Sequence, residues 1–425
     1  MFDLPKYGEG VCLARMAELL VVLGIDCARL SRRSVVVTGS NGKGSTAAFC
    51  AGIARADGLR TGLFTSPHLF RVNERFQIDG VPIADDALAR LVSRIETAIA
   101  EASRRRGEKF GSFEAMFALA CLYFQERNCD FAVFEAGIGG RYDPVRLVGA
   151  HATCVTSVDY EHVELLGHSL ELIASDKSDA CASGGTIVYG ENCRNLKPHL
   201  LEYNRYRGIT ALFVRDRIGI GDESATASGQ RFDFTFEGFE FRSLETSLLG
   251  FFQFNNAAIA TALFLLWLRQ PAPDLIRGER RPETPAEIEA AVRNGLRDTR
   301  WPGRLELIRP DPFTVVDVGH TPDGIKQALA SLQSIYGRDG WILVVGVSTD
   351  KKAGEIAGAL TPSFNTIICT AAHHKGMAAT SIATAAREAN PEATVEIATT
   401  IEDAVAVSQA LAASENRKIY VAGGL

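Results

Sequence analysis

Ser34-Val-Val-Val-Thr38-Gly39-Ser-Asn-Gly-Lys-Gly-Ser-Thr46 decides the fold. The β-branched run Val35-Val-Val-Thr38 reads as a buried strand, and Ala47–Ala54 after the glycines has helical character. A strand, a glycine-rich turn and a helix form a geometry suited to holding phosphates. Glycines let backbone N–H groups crowd an anion, the helix N-terminus adds partial positive charge, and one lysine reaches the outer phosphates. The stretch therefore predicts a nucleoside triphosphate site. Its spacing departs from the usual phosphate loop, which has four residues between the glycines and Ser or Thr directly after Lys. Here two residues separate Gly39 from Gly42, and Gly44 stands between Lys43 and Ser45. The bare pattern also fits a plain glycine turn, and by itself it leaves kinase, ATPase and ligase open.

Working outward, apolar runs alternate with helical stretches. Ser34–Thr38, Thr61–Thr65, Phe131–Glu135, Thr153–Val158 and Thr186–Tyr189 read as strands, and Asp86–Ser103 and Glu114–Arg127 as amphipathic helices. That alternation predicts a mostly parallel sheet with helices on both faces and ligands at the carboxyl ends of its strands. Phe232-Asp-Phe-Thr-Phe236 and Phe239-Glu-Phe241 alternate strictly around Glu237-Gly238, a hairpin signature, and predict a small antiparallel flank to the main sheet with the phenylalanines in its core. Gln270–Glu289 carries four prolines and clustered charges, and reads as a loop near a boundary. The β/α rhythm then restarts with strands at Thr314–Val318, Ile342–Val347, Thr366–Thr370, Thr394–Ile397 and Lys418–Ala422. The fold class expected is α/β: an N-terminal phosphate-loop domain over 1–296, then a smaller Rossmann-like α/β domain over 297–425.

Composition narrows the class. The 425 residues are 46% hydrophobic and 23% charged, with a net charge of −6 and nine cysteines; mean hydropathy is +0.04. Long basic blocks are absent, so no nucleic-acid surface is expected. No run reaches about 18 apolar residues, so no membrane span is expected. Met1-Phe-Asp-Leu-Pro5 lacks a charged-then-apolar leader. The cysteines include no Cys-x-x-Cys pair, which points to reduced thiols in a cytoplasm.

Several strand ends carry chemistry. Glu135 closes an apolar strand before Gly137-Ile-Gly-Gly-Arg141, where it is either a Mg²⁺ ligand or a carboxylate that caps the glycine turn. His162 follows another strand and is either a second ligand or a structural histidine. Lys177, between Asp176 and Asp179, reads from its neighbours alone as a surface lysine. Asp317 and His320 stand at the end of the second domain's first strand, with Arg304 before it; they fit a grip on nucleotide phosphate and ribose, or an interdomain salt bridge.

Taken together, these motifs resemble the folylpolyglutamate synthase/dihydrofolate synthase family, the folate branch of the Mur-type amide ligases. The matching runs, in order, are Gly39–Thr46, Phe64-Thr-Ser-Pro-His-Leu69, Asn73-Glu-Arg75, Ser112-Phe-Glu114, Phe134-Glu-Ala-Gly-Ile-Gly-Gly-Arg-Tyr-Asp143, Glu161-His162, Asp176-Lys177, Gln253 with Asn256, Pro302-Gly-Arg304, and Asp317-x-x-His320-x-Pro322. The resemblance implies an ATP-dependent ligase joining a carboxylate to the amine of glutamate through an acyl phosphate. It implies that Asn41, Gly42, Lys43, Gly44, Ser45 and Thr46, with Asn256, Arg304, Asp317 and His320, bind ATP. Ser66, Glu135 and His162 would ligate Mg²⁺, with two ions in all. Lys177 would be carbamylated and act with Lys43, His162 and Glu135 in catalysis. Ser112, Phe113, Glu114, Ala115, Tyr142, Asp143 and Pro144 would border a pterin-bearing acid. Partners would be small molecules only, and the chain a monomer. This chain has Asp143-Pro-Val-Arg146 where the family usually has Asp-Ala-Thr-Asn, and Gly319-His-Thr-Pro322 in place of Ala-His-Asn-Pro. These departures leave open a ligase of the same fold with a different acid or amine.

Overall fold

A computed structural model describes residues 4, 10, 12–270, 284–349, 353–371 and 375–423. Most of the proline-rich stretch at 270–289 therefore lies outside the described residues.

The phosphate-loop strand is the centre of the main sheet. Its strands are Ser34–Thr38 (β1), Thr61–Phe64 (β2), Phe76–Ile78 (β3), Val81–Pro82 (β4), Phe131–Glu135 (β5), Ala152–Val155 (β6), Thr186–Tyr189 (β7) and Thr210–Phe213 (β8). They lie in the order β4-β3-β2-β5-β1-β6-β7-β8. All pairs from β2 to β8 are parallel, and β3 and β4 add an antiparallel edge. From β1 the chain passes to β2 on one side and returns to β5, between the two, then crosses to β6 on the other side of β1. That reversal opens a crevice at the carboxyl ends of β1, β5 and β6, where ligands bind in such sheets. β1 and β5 are buried along their whole length, as a central parallel strand requires.

The ends of β2 and β5 are anchored by aromatic packing. Phe64 and Phe134 are fully buried with ring centroids 6.3 Å apart, and Phe117 and Phe76 pack against Phe64. Burying each ring is worth about 1.5–3 kcal/mol. The residues that follow, Thr65-Ser66 and Glu135, are thereby fixed in place.

The phenylalanine hairpin departs from expectation. Ile218–Thr226 (β9), Gly229–Phe236 (β10) and Phe239–Thr246 (β11) form a three-stranded sheet of their own. The antiparallel flank of the main sheet is made by β3 and β4 instead. The stripe is core, as expected: Phe232, Phe234, Phe236 and Phe241 are all buried.

The chain divides into two compact units, one of residues 1–223, 231–246 and 254–299, the other of 224–230, 247–253 and 300–425. The second unit holds Glu306–Pro310 (β12), Phe313–Val316 (β13), Trp341–Val345 (β14), Thr366–Cys369 (β15), Thr394–Ile397 (β16) and Lys418–Ala422 (β17), in the order β12-β13-β17-β14-β15-β16. Its pairs are parallel except β12 with β13. No helix among the described residues is long and apolar enough to cross a membrane.

Candidate active site

The glycine loop is held by residues that follow β6. Thr156 Oγ1 donates to Asn41 O at 2.6 Å, Ser157 Oγ donates to the same carbonyl at 3.0 Å, and Asn41 N donates to Ser157 Oγ at 2.8 Å. Ser40 N donates to Ser157 O at 2.9 Å. Gly39 has φ +138°, and a Cβ there would overlap Thr156 Oγ1 and stand 2.8 Å from Thr156 N. Gly42, φ +86°, caps the helix Lys43–Ala56, and a Cβ on it would lie 2.5 Å from Asn256 Oδ1. Asn256, buried on the helix Phe252–Leu268, is thus brought against the loop. Lys43 Nζ donates to Gly39 O at 2.8 Å and Ser40 O at 3.0 Å, so its charge stays at the loop. Gly44, Ser45 and Thr46 form the buried first turn of the helix.

Beside the loop, Glu135 Oε2 accepts from Ser66 N at 3.0 Å, which joins the ends of β2 and β5. The glycine turn after Glu135 is capped by a different carboxylate. Asp143 Oδ2 accepts from Gly137 N at 2.8 Å and Ile138 N at 2.9 Å, and its Oδ1 accepts from Val145 N at 3.0 Å. Burial pushes the Asp143 carboxyl up to about 6 despite those three amides. His162 lies beyond β6, exposed, with φ +46°. Glu135 ends β5 and His162 follows β6, the two strands on either side of β1.

Lys177 is not a surface residue. It sits on the helix Leu170–Ser178, is 1% exposed, and its Nζ donates to Glu161 Oε1 at 2.6 Å. Burial pulls the ammonium below the usual lysine range, against the pull of Glu161. Burial also opposes the charge on Glu161, yet Lys177 and Lys43 together hold that carboxyl down at about 2. Lys43 and Ser40 of the phosphate loop act on the same carboxylate, so Glu161 links the buried lysine to the loop. Next to it, Asp176 Oδ1 accepts from Gly140 N at 2.9 Å and Arg141 N at 3.3 Å.

The expected acid-binding residues divide. Ser112, Phe113, Glu114 and Ala115 form the first turn of the helix Ser112–Glu126. The Phe113 ring lies over Gly137, where a Cβ would come within 2.7 Å of it, and stands 5.8 Å from the Phe64 ring. Tyr142 is exposed, whereas Asp143 and Pro144 are buried. In the second unit, Asp317 follows β13; its Oδ1 accepts from Gly319 N at 2.8 Å and its Oδ2 from Leu305 N at 3.1 Å. Burial raises its carboxyl, opposed by the neighbouring Arg304. His320 follows on the same strand end, half-buried.

Residues 37–264 match the Mur ligase middle domain, and residues 303–425 match the Mur ligase glutamate ligase domain. The chain is 32% identical over 352 residues to a dihydrofolate synthase/folylpolyglutamate synthase of Bacillus subtilis, covering 81% of this chain and 77% of that one. It is 33% identical over 359 residues to a folylpolyglutamate synthase of Lacticaseibacillus casei, covering 83% and 79%. The chain belongs to the folylpolyglutamate synthase/dihydrofolate synthase family of Mur ligases. Its fold matches that of Mycobacterium tuberculosis folylpolyglutamate synthase, solved with ADP and AMPPCP, at a TM-score of 0.85 and 26% identity, over 97% of this chain and 92% of that one.

In this folylpolyglutamate synthase-type ligase the phosphate loop is a sequence motif, but what holds it is not. Thr156 and Ser157 carry no motif of their own. Glu161 is visible in sequence as the neighbour of His162, but its pairing with Lys177 spans 16 positions and is set only by the fold. Asp143 sits inside a recognised run, yet its carboxylate serves the backbone of the Gly137 turn.

Proposed function

We propose that the chain joins L-glutamate to the carboxylate of a pterin-bearing acid, dihydropteroate or a reduced folate, at the expense of ATP. The observation that carries this reading is the convergence, at the carboxyl ends of β1, β2 and β5, of the phosphate loop, the Ser66–Glu135 pair and the Phe113 ring over Gly137. Glu135, the Mg²⁺ candidate, and Gly137, on which the Phe113 ring lies, stand two residues apart along one loop.

The loop amides of Gly42–Ser45 and the dipole of the helix they open bind the triphosphate, and Lys43 supplies positive charge to it. The acid lies along Phe113, so that its carboxylate oxygen faces the γ-phosphorus. Attack there forms an acyl phosphate and releases ADP. The glutamate amine then attacks the acyl carbon, phosphate leaves, and the amine gives up its proton as the amide forms. Positioning and charge neutralisation are the protein's main contributions.

Ser66, Glu135 and His162 would hold Mg²⁺. Ser66 and Glu135 fit such an ion, because the Ser66 hydroxyl and the Glu135 carboxylate are hard oxygens and the Ser66 backbone N–H, donating to Glu135 Oε2, holds the two residues together. No group of three or more His, Cys, Asp and Glu among the described residues could hold a metal; nucleotide oxygens would complete the shell, as Mg²⁺ prefers. When bound, the ion withdraws charge from the transferring phosphoryl group. Lys177 would take the carbamate form in the metal-loaded enzyme, supporting a second Mg²⁺. The carbamate would carry a negative charge beside Glu161, and a divalent cation held there would offset both.

The test is ADP release with purified protein, ATP, glutamate and either dihydropteroate or tetrahydrofolate. Release that requires both glutamate and a pterin acid supports the reading. Release with neither acid, but with another carboxylate, overturns the pterin assignment.

A further inference from the structure

We propose that Arg15 is a positioning residue for the wall against which the acid substrate lies. The inference rests on the functional reading above and extends it to a residue far from the phosphate loop in sequence.

Arg15 stands on the helix Leu13–Val22 and is 1% exposed. Its Nε and Nη2 donate to Glu114 Oε1 at 3.1 and 2.9 Å, Nη2 also donates to Gly10 O at 2.7 Å, and Nη1 donates to Glu108 Oε2 at 3.5 Å. The guanidinium lies over the Phe110 ring, 5.6 Å from its centroid. Glu114 is saturated from the other side, because its Oε2 accepts from Gly111 N at 2.7 Å. Burial raises the Glu114 carboxyl, and Arg15 acts against that rise. Glu114 is therefore occupied as a structural clamp. One oxygen fixes the backbone at the start of the helix Ser112–Glu126, and the other is gripped by Arg15.

Phe113 precedes Glu114 on that first turn. Its ring position is set by the turn, by Phe64 at 5.8 Å and by the close approach of Gly137. Gly137 follows Glu135 by two residues. The chain of contacts thus runs from Arg15 through Glu114 to Phe113 and on to the loop that leaves the Mg²⁺ candidate. Only a planar fork with several donors meets Glu114, Gly10 and Glu108 at once; a lysine ammonium keeps the charge but loses the fork. A buried arginine with three acceptors on three segments holds the wall still, and a misplaced wall lowers acid binding while leaving the phosphate loop intact.

The experiment compares wild type, Arg15→Met, Arg15→Lys and Glu114→Gln, using KM for each substrate and amide hydrogen exchange. The expected result is a KM for the pterin acid raised at least about tenfold in Arg15→Met, in line with the cost of a small misplacement. KM for ATP stays within about twofold, and Arg15→Lys recovers part of the loss. Amides of 111–113 and 137–138 exchange at least about tenfold faster in Arg15→Met, while those of 42–46 do not change. If Arg15→Met fails to fold, the same pattern is read from Arg15→Lys and Glu114→Gln. An unchanged acid KM in a folded variant overturns the proposal, as does an equal rise in the KM values for acid and ATP. If wild type turns over no pterin acid, the functional reading fails. The exchange pattern then decides the positioning claim alone: localised loosening supports it, and its absence overturns it.

Discussion

Lys177 Nζ donates to Glu161 Oε1 across 2.6 Å, with the lysine 1% exposed and Lys43 acting on the same carboxylate. Truncating one member of such a buried pair leaves an uncompensated charge and costs about 3–5 kcal/mol. Lys177→Ala is expected to unfold at lower temperature than wild type and to lose at least about a hundredfold in kcat, because the proposed carbamate would be an anion held in place. Formate or acetate should restore part of that activity by replacing the carbamate. Lys177→Arg, which keeps the positive charge, should stay inactive. Near-normal activity of Lys177→Arg would show that the ion pair alone suffices.

Gly39 carries a second expectation. Its φ of +138° and the Thr156 backbone nitrogen, 2.8 Å from where a Cβ would stand, exclude any side chain. Gly39→Ala should weaken binding of a non-hydrolysable ATP analogue by at least about tenfold, equivalent to a strain of about 1–3 kcal/mol. Adding Thr156→Ala should not restore it, since the backbone nitrogen remains. Gly58→Ala, at φ +83° with nothing within 4 Å, should lower Tm without changing analogue affinity. Calorimetric titration of the three variants checks the set.

Asp57 caps the far end of the phosphate-loop helix. Its Oδ2 is buried without a hydrogen-bond partner among the described residues, and burial, with Glu287 adding to it, pushes its carboxyl up to about 7. The unfolded chain releases this proton near pH 3.8, so the folded state binds more protons between that value and about 7. Unfolding free energy from this group therefore falls as pH rises through the window and is flat above it. A negative charge at a helix C-terminus acts in the same direction. Asp57→Asn should raise Tm at pH 7.5, and the gain should vanish near pH 4. A gain that is independent of pH would contradict the assignment.

Much of this site was legible in the sequence because its signals are local. A β-branched run, a glycine-lysine-glycine turn and a carboxylate closing an apolar strand are each set by a few adjacent residues. The phosphate-loop strand, its helix and Glu135 are where those signals point. From its neighbours alone Lys177 reads as solvated, because it stands between two aspartates and its partner Glu161 comes from another segment. The hairpin was recognised, but its sheet was not: alternation marks a strand and one buried face, and says nothing about which strand becomes its neighbour. Arg15 was invisible for the same reason, since its acceptors Glu108 and Glu114 lie more than 90 positions away.

The central claim is that the acid's carboxylate attacks the γ-phosphate before the glutamate amine attacks the acyl carbon. Turnover with a pterin acid whose carboxylate carries ¹⁸O tests it most directly, by mass spectrometry of the released phosphate. Transfer of one ¹⁸O into phosphate for each amide formed is the result predicted. Amide formation with phosphate free of the label would contradict the acyl phosphate route.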